Sequence, residues 1–299
     1  MNLNTLNDNY IYKYLSSTSE VRGIVHISHG KAEHIGRYKW LISMLNNNGY
    51  HVISIDHRGH GNRINNKRSI GIFSNSFGWK KVVKDLKTLI DNTKKEYPTL
   101  KQYIFGHSMG SWIALSLFKE RLDISGMILS GSSKFPYFLI VLQRLIIKLD
   151  ILFFGQNKIN NIMETLSTKR FNNYFKPNRT QSDWISTDDA NVDNYVDDKL
   201  CGYKVTSGLW LDMVNGIEEI FNKKNYDELN KDVPILIISG SDDPVGDFTK
   251  GVTSLYNYLK SIFSNVELKI LSSERHEVFS GIKKNDAYNS LKLFLDKNL

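Results

Sequence analysis

The chain is short of cysteine, of clustered basic charge and of any export signal, and each shortage narrows what it does. Cys201 is the only cysteine in 299 residues, so no internal disulfide forms and no oxidising compartment is required. Residues 1–14 are rich in Asn and Tyr and lack an apolar signal core; export is not expected, and the expected location is the cytoplasm. Lys and Arg number 39 against 31 Asp and Glu, a formal charge of +8, yet no basic run reaches five residues. That spread, without Arg interleaved among aromatics, argues against a nucleic-acid partner. It fits mild, transient attraction to an anionic membrane surface. The early histidine pairs, His29 with His34 and His57 with His60, fall in loops, and no Cys/His cluster has ligand spacing. Neither a metal nor an organic cofactor is expected.

What is present is a hydrophobic content of 41% and an aromatic content of 12%, enough to bury a large core as one big domain or as a domain with an insertion. The informative stretch is 103–111, Tyr-Ile-Phe-Gly-His-Ser-Met-Gly-Ser. A β-branched and aromatic run ends at Gly106, and a helix-compatible segment follows Gly110. A serine between two glycines, where a strand turns sharply into a helix, has its hydroxyl pushed out of the fold in a strained backbone. Ser108 is the candidate nucleophile.

Strands are expected at 9–15, 22–28, 50–55, 101–105 and 124–130, and helices at 36–48, 77–97 and 113–120. After Gly131 the alternation breaks, and it resumes with a strand at 233–239, a helix at 247–259, a strand at 266–271 and a helix at 286–295. Alternating strands and helices predict an α/β fold with a mostly parallel sheet covered on both faces. The domains read as a first core part at 1–132, a helical cap at 133–228 and a second core part at 229–299. In such sheets ligands bind outside the carboxyl ends of the strands, so the cap would roof Ser108.

On sheets of this kind the nucleophile comes first, then an acid, then a histidine. Of the eight histidines only His276 follows Ser108, so it is the base if that order holds. The acid should follow the strand before, at Gly240-Ser241-Asp242-Asp243-Pro244; Asp243 is the choice and Asp242 the alternative. Singly, a histidine in a polar loop reads as a surface residue and an aspartate after a strand as a turn former. Together with Ser108, at the ends of three successive sheet strands, they read as a catalytic set. Acyl transfer also needs donors for the carbonyl oxyanion: the amide of Met109, and that of Lys31 after the 22–28 strand.

His29-Gly30-Lys31-Ala32-Glu33-His34-Ile35-Gly36-Arg37-Tyr38, Asp56-His57-Arg58-Gly59-His60-Gly61 and Gly106-His107-Ser108-Met109-Gly110 resemble the monoacylglycerol lipase and lysophospholipase branch of the α/β-hydrolase fold. The likeness extends to Asp183-Trp184-Ile185-Ser186-Thr187-Asp188 and Cys201-Gly202 in the cap. It implies a serine carboxylester hydrolase acting on monoacylglycerols or lysophospholipids through Ser108, Asp243 and His276, with an acyl-enzyme intermediate. Two positions depart from the family. Lys31 stands where a small or apolar residue is common, and its ammonium is expected either to face solvent or to favour anionic headgroups. Lys199 replaces a common proline.

The intensely apolar stretch 135–155 opens the cap, and Gln143, Arg144, Lys148 and Asp150 interrupt it, so it is not a membrane span. It is expected to pack on the core or to wall an acyl-chain site, with Phe135, Phe138, Leu139 and Leu142 as substrate contacts and a preference for medium or long chains. Two other classes fit the fold. A peptidase releasing N-terminal residues would hold the substrate amine with cap carboxylates such as Asp183, Asp188, Asp189, Asp193, Asp197 or Asp198. A non-catalytic binding protein is disfavoured because every catalytic position is filled. The sequence sets no oligomeric state.

Overall fold

The central apolar β-branched runs become strands buried on both faces of one sheet, while the two edge strands are only partly buried. The computed structural model describes residues 9–66, 69–120, 122–226 and 230–299. Its strands are β1 (Ile11–Tyr14), β2 (Gly23–Ser28), β3 (Tyr50–Ile55), β4 (Gln102–His107), β5 (Gly126–Ser130), β6 (Ile235–Gly240) and β7 (Val266–Leu271). They form one sheet in the order β1-β3-β2-β4-β5-β6-β7. All neighbouring pairs are parallel except β1 on β3. Alternate residues along each strand feed two separate cores. Ile24, Ile104 and Ile237 point to one side; Val25, Phe105 and Ile238 point to the other.

Among the described residues ten α-helices cover the sheet or fill the insertion: α1 (Lys39–Asn47), α2 (Gly78–Glu96), α3 (Met109–Ser116), α4 (Tyr137–Phe154), α5 (Asn161–Glu164), α6 (Arg170–Asn173), α7 (Asp189–Asp197), α8 (Ser207–Ile220), α9 (Lys250–Lys260) and α10 (Lys284–Lys297). Helices α1 and α10 cover one face. Helices α2, α3, α8 and α9 cover the other. Helices α4 to α8 all lie between β5 and β6, over the span expected as an insertion. The expected insertion end at 228 and the second core start at 229 lie outside the described residues, as does the head of the chain before residue 9.

Four expectations shift. The helix expected at 36–48 is a 3-10 turn, Ile35–Tyr38, running into α1. The one expected at 113–120 starts directly after Ser108 and loosens into a 3-10 turn at Leu117–Glu120. The helix expected from residue 247 begins at Lys250, because Asp247, Phe248 and Thr249 all have positive φ, which right-handed helix excludes. The strands leading to Ser108, Asp243 and His276 are β4, β6 and β7; β5 separates the first two, so they are not three successive strands of the sheet.

Candidate active site

Ser108 caps β4 at the first turn of α3 with φ 50° and ψ −121°, a strained conformation for a residue with a side chain. Packing on both sides enforces it. A Cβ on Gly106 would lie 2.6 Å from Ser111 Cα, and one on Gly110 would lie 2.0 Å from the Ser28 carbonyl oxygen. Only glycine lets α3 pass this close to β2. The Ser108 N–H donates to the Ser130 carbonyl at 2.9 Å, so the turn is also tied to β5. Met109, as the first residue of α3, has no carbonyl four residues back to bond, which leaves its N–H for an anion.

The loops after β6 and β7 bring Asp243 and His276 together. His276 Nδ1 lies 2.9 Å from Asp243 Oδ2, with both side chains almost fully buried. Asp243 also accepts from the Val245 N–H at 2.9 Å, while the alternative, Asp242, receives only its neighbour Ser241 Oγ at 2.7 Å. With Nδ1 donating to the carboxylate, Nε2 is the nitrogen left to accept a proton. Burial pulls the imidazole pKa down, and the Asp243 charge and hydrogen bond more than offset it, leaving it above the ordinary value. Two rings neighbour His276: His107, centroids 4.7 Å apart, and Trp184 from the cap, at 5.1 Å and 33°.

Residues 29–33 form the loop expected to supply the second oxyanion donor. The His57 N–H donates to His29 Nε2 at 2.9 Å. His29 Nδ1 therefore carries the proton and donates to the Gly30 carbonyl at 2.9 Å. Burial holds His29 neutral, pushing its pKa down to about 3. Glu33 Oε1 accepts from both the Gly30 N–H and the Tyr38 hydroxyl. Asp56 braces the adjoining turn by accepting from Tyr12 Oη, the Ile35 N–H and the Asn62 N–H, so the 56–61 motif acts as architecture. The Lys31 side chain is partly exposed, and its charge is paired. Its Nζ lies 3.2 Å from Glu164 Oε1 and 4.6 Å above the Trp210 ring.

Lys31, Ser108 and His276 line one cavity of about 620 Å³ together with Trp184, Tyr195 and Tyr203. The four apolar cap residues expected there are placed elsewhere. Phe138 is 67% and Leu142 49% exposed. Phe135 packs on Trp112 and lines a different cavity beside Lys134 and Phe221. Leu139 is half-buried on α4 and lines neither. Helix α4 turns Ile140, Ile147 and Asp150 inward instead, and Asp150 accepts a hydrogen bond from Ser207 Oγ. A run apolar all round has no phase to reveal its buried face.

Several groups at the site carry no catalytic signal of their own in the sequence. Arg37 donates to Glu277 Oε2 at 3.0 Å and to Asn191 Oδ1 at 2.7 Å. Burial and then the nearby Glu277 charge push the Glu33 carboxyl well above the usual carboxylate range. Trp184 lies within the cap stretch that the family likeness covers, but only its ring contact with His276 marks a role. Arg275 was legible only as the neighbour of His276.

Among the described residues two trios of side chains have donor atoms within 4.8 Å of one another: His34, Asp198 and Cys201, and Glu33, His107 and Glu277. In the first, His34 Nδ1 accepts from the Gly36 N–H at 3.2 Å, so Nε2 is protonated and donates to Asp198 at 2.8 Å. In the second, the carboxylates are already taken by Gly30, Tyr38 and Arg37. Neither trio offers a free set of metal ligands.

Five of the six cap aspartates named for an amine are also engaged. Asp183 accepts from Thr180 and Arg179, Asp188 caps α7, and Asp189 and Asp193 pair with Arg179. Asp198 holds His34. No aspartate lines the Ser108 cavity among the described residues; its acids are Glu33, Glu164 and Glu277.

Known proteins are similar to this chain over most of its length. Human monoglyceride lipase is 25% identical over 298 residues, covering 95% of this chain and 86% of the relative. Phospholipase YtpA of Bacillus subtilis is 26% identical over 281 residues, 92% of this chain and 95% of its own. The crystal structure of a thermostable carboxyl esterase from Bacillus coagulans, in complex with glycerol, superposes with a TM-score of 0.85 at 26% identity, covering 96% of this chain and 93% of that one. The model of the family described as serine aminopeptidase, S33, matches residues 19–281. A match of that reach, from before β2 to beyond His276, makes the chain a member of this α/β-hydrolase family, in its monoacylglycerol lipase-like branch.

Proposed function

We propose that the protein is a serine ester hydrolase that cleaves acyl esters of glycerol-type lipids, monoacylglycerols or lysophospholipids, with residues 133–228 as the cap over its site. The carrying observation is that a strained Ser108 and a His276 paired with the buried Asp243 line one cavity. His276 Nε2 takes the Ser108 proton as Oγ bonds to the ester carbonyl carbon, and Asp243 steadies the imidazolium. The amides of Met109 and Lys31 receive the oxyanion. The carbon–oxygen bond to the alcohol then breaks, with His276 returning its proton to the leaving oxygen. Water cleaves the acyl-enzyme by the same route.

The relatives' names support a lipid ester as substrate. A peptidase reading lacks its amine holder, since Glu164 and Glu277 already pair with Lys31 and Arg37. The exposed apolar side of α4, with Leu152, Phe153 and Phe154 at 75%, 73% and 65% exposure, suits contact with a lipid surface, and the net charge of +8 favours an anionic one. No helix among the described residues is long and apolar enough to cross a membrane.

The test is a substrate panel: p-nitrophenyl acetate, octanoate and decanoate, monooleoylglycerol, an anionic lysolipid and an aminoacyl-coumarin. The expected result is higher kcat/KM for octanoate and decanoate than for acetate, hydrolysis of a glycerol lipid, and an inert coumarin. Acetate turned over far faster than the longer esters, or a cleaved coumarin with inert lipids, overturns it.

A further inference from the structure

The segment 183–187 is bonded directly to the loop that carries the base. Arg275, next to His276, donates from Nη1 to the carbonyl oxygens of Asp183 at 2.5 Å and Ser186 at 3.0 Å. The Glu277 N–H donates to the Ile185 carbonyl at 2.6 Å. Trp184 sits between the two carbonyls that Arg275 holds, and its ring lies on the His276 ring. The indole nitrogen is buried with no hydrogen-bond partner. The ring is therefore kept in place by its backbone and by the Phe171 ring at 5.4 Å, not by a bond of its own. On its other side the Arg275 guanidinium stacks over Phe175 at 4.1 Å. A planar cation with fixed donors is suited to bridging two carbonyls, which an ammonium does less well.

We propose that Arg275 is a positioning residue: by bridging the Asp183 and Ser186 carbonyls it seats Trp184 against His276 and so fixes the aim of the base. It makes catalysis conditional on the seating of this cap segment. Substrate then has to enter past other parts of the cap. The inference rests on the ester-hydrolase reading, and the experiment separates the two.

The parent is first treated with a fluorophosphonate, and Ser108 is mapped by mass spectrometry; kcat and KM on the octanoate ester follow for Arg275→Ala, Arg275→Lys, Trp184→Ala and the double variant. Arg275→Ala is expected to lower kcat about tenfold or more with KM within about twofold. Added guanidinium ion should restore part of the loss, and Arg275→Lys should fall between parent and Ala. In the Trp184→Ala background, Arg275→Ala should cost less than about twofold, because the two act through one contact. With Ser108 labelled in the parent, an unchanged kcat, a loss that guanidinium does not reverse, or losses that multiply in the double variant overturns the Arg275 role alone. Should Arg275→Ala not fold, Arg275→Lys decides: a kcat equal to the parent's overturns the role. A folded parent that takes no label removes the ester-hydrolase reading, and this inference with it.

Discussion

Helix α4 and the segment 183–191 belong to the same insertion between β5 and β6 but are fastened by opposite means. The segment is held by directional bonds to the His276 loop: Arg275 to two carbonyls, Thr187 Oγ1 to Glu274 Oε2 at 2.7 Å, and Asn191 Nδ2 to Glu277 Oε2 at 2.7 Å. Helix α4 rests on α8 through Ile140, Ile147 and a few polar ties such as Arg144 to Glu218, and leaves most of its apolar side chains in water. Hydrogen bonds specify position, because they weaken steeply off geometry. Apolar contact is non-directional and exchanges one greasy surface for another. One part of the insertion is thus built to hold an angle and the other to trade partners.

The largest effect belongs to the His276–Asp243 pair, on whose loop the fixed segment rests. Asp243→Asn should lower kcat about 10³ to 10⁴-fold. It should also move the pH profile. His276 acts as base only when neutral, and its pKa lies above the ordinary 6.5, so activity in the parent should rise with pH through a limb above that value. The asparagine removes the raising charge and leaves the burial, so the limb of any residual activity should move down. A profile that stays put in the variant contradicts the assignment.

Next comes the brace beneath the oxyanion loop. Glu33→Ala leaves the Gly30 N–H and the Tyr38 hydroxyl without their acceptor, at about 2–4 kcal/mol in urea unfolding, whereas Glu33→Gln keeps an accepting oxygen and should stay within about 1 kcal/mol. Equal losses in both variants would mean that the charge, not the acceptor, matters there. A smaller effect is expected from Thr187→Val, which removes the bond to Glu274 and the acceptor of the Ile282 N–H, about 1–2 kcal/mol by the same measurement. The smallest effect on folding belongs to α4. Leu152→Glu with Phe153→Glu should leave stability within about 0.5 kcal/mol per site, yet weaken co-sedimentation with anionic vesicles. Unchanged vesicle binding would remove the lipid-surface role.

The same contrast explains what could be read from the amino acids. The elbow was legible because Gly106, Ser108 and Gly110 encode it within a few residues, where one backbone conformation decides everything. His276 followed from chain order, and Asp243 over Asp242 needed the structure, since both stand at the same turn. The cap was legible as an apolar stretch but not as a surface. In α4 a buried Asp150 and an exposed Leu152 sit two residues apart, so hydropathy pointed Phe138 and Leu142 at the substrate when they face solvent. The Lys31–Glu164 pair joins residues far apart in sequence, and no local pattern announces it.

The most direct test of the account is intact-mass measurement after fluorophosphonate treatment of the parent, Ser108→Ala and His276→Ala, with peptide mapping of the adduct. The account predicts one adduct, on Ser108, in the parent, none in Ser108→Ala, and labelling abolished in His276→Ala. A folded parent that takes no label, or an adduct that persists in Ser108→Ala, would contradict it.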